Sequence, residues 1–462
     1  MTANWPEKLG DLRIHFVGIG GSGMSGIARI MSARGARISG SDLYESTILE
    51  SLRALEFKIF IGHDAQNIAH ADLVVRSSAI PDNNPEIEAA RAAGLPVIGR
   101  AEALAALLVE RRSVAIAGTH GKTTTTSMLA VALQRCGLDP SFSIGASIRN
   151  SGTNAHQGSG DIFIVEADES DGSFTHYRPS GAVITNIELD HVDNFATIEE
   201  IDRIFLDFTQ TITEFLVICS DDEGAQRLMA CSKEFSVKLF TYGTQGDPNL
   251  LIDRIQLGAK SSSARLTLNG RVLGELKLSI PGRHNLLNAA AALLAGVQLG
   301  APIEKLLAGL ASFSGARRRF ELRGEVDGIT VIDDYGHHPT EIKATIETAR
   351  AYAGGGRVLL IFQPHRFSRT QAFLSEFAKE LSAADHTFLL EVYPADEKPI
   401  SGVTSAGIAH RMEQSRVTYE PSMPSVIDLV VNQARSGDVI LTLGAGDVTM
   451  LAPIILDNLQ RK

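Results

Sequence analysis

The run from Ser113 to Thr125 constrains this chain more than any other: an apolar strand passes through Gly118, Thr119, His120 and Gly121 into Lys122 and a series of threonines that open a helix. Strand, glycine-bounded turn and helix in that order make a phosphate loop. The glycines let backbone N–H groups turn onto phosphate oxygens, and the helix start adds its positive dipole end. Lys122 can reach the β- and γ-phosphates, and the Thr123 hydroxyl can hold Mg²⁺. Ile116 stands where the first glycine of G-x-x-x-x-G-K-[ST] would be, so the loop is shorter than usual. ATP is the expected cofactor, bound by Gly118, Thr119, His120, Gly121, Lys122, Thr123 and Thr124.

At 462 residues the chain has room for about three domains, each able to bury its own core. Hydrophobic content of 44% and charged content of 21% are those of an ordinary globular protein. A net charge of −11 argues against a nucleic-acid partner, which a basic face would mark. Cys136, Cys219 and Cys231 are odd in number and lack metal-ligand spacing, so neither a disulfide framework nor a zinc site is expected. Met1 to Asp11 is polar without the pattern of a signal peptide, and no apolar run approaches about 18 residues. A cytoplasmic protein without membrane insertion is expected.

From Arg13 the chain alternates short β-rich runs (Arg13–Val17, Ala36–Gly40, Leu73–Ser77) with helical patterns (Gly26–Arg34, Ile48–Leu55, Pro85–Ala93). This is the rhythm of a parallel sheet with helices on its faces. A weak boundary near Glu110 closes a first, Rossmann-like domain over 1–110. A central, phosphate-loop ATPase-like domain follows over 111–316, with strands at Asp161–Val165 and Ala182–Ile187. It includes a small β-hairpin region, since Asn269–Gly270 between alternating runs is a hairpin signal. A helix is expected from Asn285 to Leu299. Strands at Ile329–Asp333, Val358–Phe362 and Val439–Leu443 make a Rossmann-like C-terminal domain over 317–462. The fold class is three-domain α/β.

Gly18–Ile19–Gly20–Gly21–Ser22–Gly23 follows the first strand and satisfies G-x-G-x-x-G, with Asp42 at the spacing of a ribose-binding acid. Taken alone this suits NAD, but the glycines recognise only a diphosphate in close backbone contact, and a UDP-sugar presents one too. Asp161–Val165 delivers Glu166 beside the phosphate loop, where a nucleotide-bound Mg²⁺ takes its protein ligand. His191 ends the next strand region and serves either as a ligand to a second metal or as a hydrogen-bonded surface residue. Asn285 is either a helix N-cap or a contact facing a crevice. Arg317–Arg319 is a solvated basic run or the source of an arginine finger. Asp333–Pro339 and Gln363–Thr370 lie at strand ends facing one crevice, where Arg366 and Arg369 suit a small carboxylate.

Together, His15–Gly26, Gly118–Thr125, Glu166–Glu169, Asp190–His191, Gly282–Asn288, Asp333–Glu341 and Phe362–Arg366 resemble the Mur ligase family over nearly the whole chain. The N-terminal glycine loop and Asp334–Pro339 look like its alanine-adding branch. The resemblance implies ATP-dependent ligation of L-alanine to the carboxylate of UDP-N-acetylmuramate through an acyl phosphate, in peptidoglycan precursor synthesis. By that likeness, Gly18, Gly20, Gly21, Ser22, Gly23, Met24, Asp42 and Ser78 would hold the UDP-sugar. Thr123 and Glu166 would bind one Mg²⁺ and His191 a second, Asn285 and Arg318 would contact ATP, and Arg366 and Arg369 would hold alanine near Tyr335 and His337. Lys122, Glu166, His191, Arg318 and His337 would form the catalytic set. Asn194 to Ile212 contains no lysine, so the carbamylated lysine of several sister ligases is expected to be absent. The partners implied are small molecules, and the chain a monomer or homodimer. An oxidoreductase built on the first glycine loop alone, or a nucleotide-controlled binding protein without turnover, are the competing readings.

Overall fold

The computed structural model describes residues 9–10, 12–109, 111–395 and 397–462. Most of the polar stretch Met1 to Asp11, and Glu110 at the expected first boundary, lie outside the described residues. Among these residues the strands form three sheets of five, ten and six.

In the first sheet, Arg13–Val17 is central, flanked by Arg37–Asp42 and Leu73–Arg76, with Lys58–Ile61 and Val97–Gly99 at the edges, all parallel. Ile14, Phe16 and Val17 are fully buried because helices cover both faces. The order reverses at Arg13–Val17, so a crevice opens beyond its carboxyl end, where the glycine loop leads into helix Ser22–Ala33.

The second sheet is built around Arg112–Ala117, between Gly181–Ile184 and Ile162–Glu166. Val114 to Ala117 are fully buried, each larger aliphatic side chain contributing roughly 1.5–3 kcal/mol. The helix Lys122–Arg135 is buried almost all round, lying between the sheet and helices Arg283–Gln298 and Ile303–Ala311. The expected hairpin is present as Ser262–Leu268 and Arg271–Leu278, its turn carried by positive φ at Asn269 (46°) and Gly270 (78°). It is not a separate appendage. Leu250–Leu257 pairs in parallel with Lys238–Gly243, so the antiparallel strands extend the central sheet.

In the third sheet, Ile329–Asp334 is parallel to Val439–Leu443 and antiparallel to Glu321–Val326, and Val358–Phe362, His386–Leu389 and Val417–Tyr419 continue it. Tyr335 and His337, beyond the carboxyl end of Ile329–Asp334, and His365, beyond that of Val358–Phe362, line one cleft with Lys122 of the phosphate loop. Cys136, Cys219 and Cys231 are unpaired, and no described helix is long and apolar enough to cross a membrane.

Candidate active site

The phosphate loop is clamped from the neighbouring strand end. Asn186 accepts the Thr119 N–H on its carbonyl (3.0 Å) and the His120 N–H on its side chain (2.7 Å), while Thr185 Oγ1 donates to the His120 carbonyl (2.6 Å). Gly118 (φ 126°) and Gly121 (φ 82°) take backbone conformations that a side chain would strain. Lys122 folds back over the loop, donating to the carbonyls of Gly118 (2.7 Å) and Thr119 (3.1 Å) and pairing with Glu169 (2.7 Å). Burial disfavours its charge, but Glu169 and Asp168 outweigh that and raise its pKa.

Thr123 Oγ1 donates to Glu166 Oε1 (2.9 Å), and Gly145 N–H holds the other carboxylate oxygen (2.7 Å). A hydroxyl and an oriented carboxylate at a helix start are the hard oxygen donors Mg²⁺ requires, so the residues fit that ion. His191, at φ 53°, points Nε2 at Glu169 (3.4 Å). Burial lowers its pKa, but Glu169 and Asp190 outweigh that and leave it raised. Lys122, Thr123, Glu166, His191, His337 and Arg366 line one cleft of about 640 Å³, which Ser78 also reaches.

A second cavity of about 290 Å³ runs from Gly121 and Thr124 past Asn285, Asn288 and Phe313 to Arg319. The helix there begins at Arg283 with Gly282 at its N-cap, so Asn285 is not the cap. Asn285 Nδ2 donates to the Pro281 carbonyl (2.6 Å), which fixes the side chain on the cavity wall.

The basic junction divides differently from the expectation for Arg318. Arg318, at φ 57°, turns its guanidinium into the C-terminal domain, donating to the carbonyls of Gly444 (2.6 Å), Gly446 (3.1 Å) and Ala445 (3.3 Å) and lying 3.7 Å from Asp333. Arg319 instead reaches the loop, with Nη2 3.5 Å from Thr123 Oγ1 and Nη1 3.5 Å from Glu341. Both guanidiniums lie over the Tyr335 ring, 4.9 and 5.0 Å from its centre.

Arg369 also departs from expectation. It is 3% exposed and paired with Asp190 (2.9 and 2.8 Å), so its guanidinium ties the C-terminal domain to the middle one while still lining the cleft beside Arg366. Arg366 pairs with Asp193 and lies 3.7 Å from Glu397 while still facing the cleft. His337 Nδ1 lies 3.1 Å from the Tyr335 carbonyl. Burial, and then Arg369, pull its pKa down to about 3, so it is neutral near pH 7.

In the N-terminal domain, Asp42 accepts the N–H groups of Gly20 (2.8 Å) and Leu43 (2.8 Å). The carboxylate holds the glycine turn together instead of reaching outward. Gly18 has φ 81°. Met24 is 1% exposed and packs its side chain into the domain core behind Gly21. Ser22, behind Gly21 and Gly23, joins Thr123 and Glu166 in lining a third cavity of about 840 Å³, which connects the glycine loop to the phosphate loop.

Fold and site thus define a nucleotide-dependent enzyme whose phosphate loop lies between two flanking α/β domains. The chain matches the Mur ligase catalytic-domain model over residues 13–112, the Mur ligase middle-domain model over 116–296 and the Mur ligase glutamate-ligase-domain model over 318–446. It is 47% identical over 461 residues to the UDP-N-acetylmuramate–L-alanine ligase of Acidothermus cellulolyticus, covering 99% of this chain and 96% of that protein. With the same-named ligase of Renibacterium salmoninarum it shares 49% over 455 residues, covering 98% and 97%. The crystal structure of the Thermotoga maritima UDP-N-acetylmuramate–alanine ligase superposes with a TM-score of 0.83 at 29% identity, over 97% of this chain and 99% of that one. The chain belongs to the Mur ligase family.

No motif in the sequence marks Glu169 or Glu341 as site residues, and Arg319 is marked only as one of the three arginines of Arg317–Arg319, any of which could supply the arginine finger. Glu169 and Glu341 sit in the Glu166–Glu169 and Asp333–Glu341 segments. Their signal was an acid three residues after Glu166 and an acid at the third position of a helix beginning Pro339, a capping position.

Proposed function

We propose that this chain joins L-alanine to the carboxylate of UDP-N-acetylmuramate at the expense of ATP, as an ADP-forming ligase of peptidoglycan precursor synthesis. The observation that carries the reading is the phosphate loop with its Thr123–Glu166 pair, reached by one cavity from the N-terminal glycine loop and by another from the C-terminal domain. The UDP-N-acetylmuramate–L-alanine ligases that match almost end to end at 47% identity support the choice of substrates.

A carboxylate is a poor electrophile, so it must first be phosphorylated. The muramoyl carboxylate oxygen attacks the γ-phosphorus, the bond to the ADP oxygen breaks, and an acyl phosphate forms. The alanine amine then attacks the acyl carbon, loses a proton, and phosphate leaves with the oxygen it received. Lys122 and Arg319 meet the charge that builds on the transferring group. Mg²⁺ on Thr123 and Glu166, with a second ion at His191, would add charge neutralisation across the phosphate oxygens. Arg366 is the cation suited to the alanine carboxylate, and Asn285 lies where the nucleoside end of ATP fits. His337 is neutral and suits a hydrogen-bond acceptor for the incoming amine. The backbone N–H groups of the Gly18–Gly23 turn suit a diphosphate, and Ser78 the sugar beyond it. Every group lies on one chain, so monomer and homodimer serve equally, and the ATP requirement suits the cytoplasm.

Phosphate release with ATP, Mg²⁺ and UDP-N-acetylmuramate across a panel of L-amino acids and short peptides tests this. Release should be fastest with alanine, and no release with alanine sinks the assignment.

A further inference from the structure

Between the phosphate loop and the C-terminal domain, three side-chain atoms converge to which the proposed phosphoryl and acyl transfers assign no step, His120 serving the phosphate loop through its backbone N–H. His120 Nε2 lies 3.1 Å from His338 Nδ1 and 3.5 Å from Glu188 Oε2, and His338 Nδ1 lies 3.6 Å from the same oxygen. A tetrahedron with ligands at about 2.0–2.1 Å from Zn²⁺ has edges of about 3.4 Å, so these atoms match one face of it. The remaining ring nitrogens are already committed in the manner of a metal site's outer partners. His338 Nε2 donates to the Leu189 carbonyl (3.2 Å), and His120 Nδ1 faces Glu341 Oε1 (3.4 Å). With those tautomers fixed, the lone pairs of His120 Nε2 and His338 Nδ1 face each other, and a proton or a cation must lie between them. The Thr340 N–H, 3.4 Å from His338 Nδ1, is too long to hold that lone pair firmly. Thr340 Oγ1 donates to Glu188 Oε2 (2.6 Å) and orients the carboxylate.

We propose that His120, Glu188 and His338 form a site for one divalent cation of the Zn²⁺ class, distinct from the Mg²⁺ positions, that clamps the phosphate loop to the C-terminal domain. Two imidazoles and one carboxylate favour Zn²⁺, Co²⁺ or Ni²⁺ over Mg²⁺, which prefers an all-oxygen shell. His120 and Glu188 also line the nucleotide cavity, so a fourth ligand has access from that side. The cation displaces the proton shared between the two imidazoles, and because ligands bind metal deprotonated, affinity should rise with pH. The groups facing His120 are Glu188 from the middle domain and His338 and Glu341 from the C-terminal one, with Arg319 and His337 on the far side of Glu341.

The test titrates the full chain with Co²⁺ in excess Mg²⁺ without nucleotide, reading the intense visible absorption of tetrahedral Co²⁺. One equivalent should bind, more tightly at higher pH, and Zn²⁺ should bleach the band. His338→Asn keeps a side-chain acceptor at the helix N-cap and should lower Co²⁺ affinity about 100-fold. Glu188→Gln should also weaken it, whereas Glu166→Gln should leave the band intact. Melting temperatures without Co²⁺ establish that the variants are folded, and if His338→Asn is not, Glu188→Gln and the Zn²⁺ competition decide. No tetrahedral band, or a band that survives the ligand substitutions or is lost with Glu166→Gln, overturns the site.

Discussion

Arg319 and Arg318 are adjacent yet serve opposite ends of the junction. Truncating Arg319 removes the guanidinium 3.5 Å from Thr123 Oγ1, and kcat for phosphate release should fall about 1,000-fold with little change in melting temperature. Truncating Arg318 strips three carbonyl contacts inside the C-terminal domain and should instead lower the melting temperature, a loss of roughly 2–3 kcal/mol. The reverse pattern would exchange their roles. A run of three arginines announces charge at the junction, but which one meets the nucleotide depends on the left-handed backbone at Arg318, and no residue type there signals it. The histidines were legible as candidates, their charge states were not. Burial holds His337 and His365 down at about 3 and His284 and His338 at about 4. Below the ordinary value the unfolded chain binds protons these folded histidines refuse, so stability is lost as pH falls, by on the order of 1 kcal/mol per histidine per pH unit. His120 has the opposite sign, its contribution complete below its ordinary value and lost as pH rises through about 10. Melting temperature should climb from about pH 5 to about pH 7, and a His337→Asn, His365→Asn double variant should flatten that climb. An unchanged slope would mean the acidic loss arises elsewhere.

The phosphate loop is the element most legible in the sequence, because glycine spacing, strand and helix register are all local. A Cβ at Gly118, where φ is 126°, would collide with Thr185 Oγ1 and come within 3.0 Å of the Asn186 carbonyl. Both neighbours are the clamp on the loop and cannot yield cheaply. Gly118→Ala should therefore cost more than about 2 kcal/mol in chemical denaturation and abolish detectable ATP binding. A variant that binds ATP normally would remove the loop from its assigned role. The Asn269–Gly270 turn was equally local and equally readable. That its strands prolong the central sheet was not, since this depends on Leu250–Leu257 finding Lys238–Gly243. Asn285 looked like a cap because its residue type caps well, but the helix starts two residues earlier behind Gly282 at φ 103°.

Across the whole molecule, three α/β units were visible as alternating β and helical patterns, while the contacts that join them were not. Asp190–Arg369, Glu188–Thr340 and Arg319–Thr123 link the middle and C-terminal domains through residues more than 150 positions apart, and no local pattern records such pairs. They explain why Arg369, which looks in sequence like a ligand for alanine, is committed to the interface. In the proposed reaction these domains bring one carboxylate, one γ-phosphate and one amine together so that the carboxylate oxygen leaves with phosphate. UDP-N-acetylmuramate labelled with oxygen-18 in its muramoyl carboxylate tests this most directly, with the released phosphate analysed by mass spectrometry during turnover with ATP and L-alanine. One oxygen-18 atom should pass into each phosphate formed from doubly labelled substrate. Phosphate released at the same rate without label would contradict the acyl-phosphate route and the role assigned to the cleft.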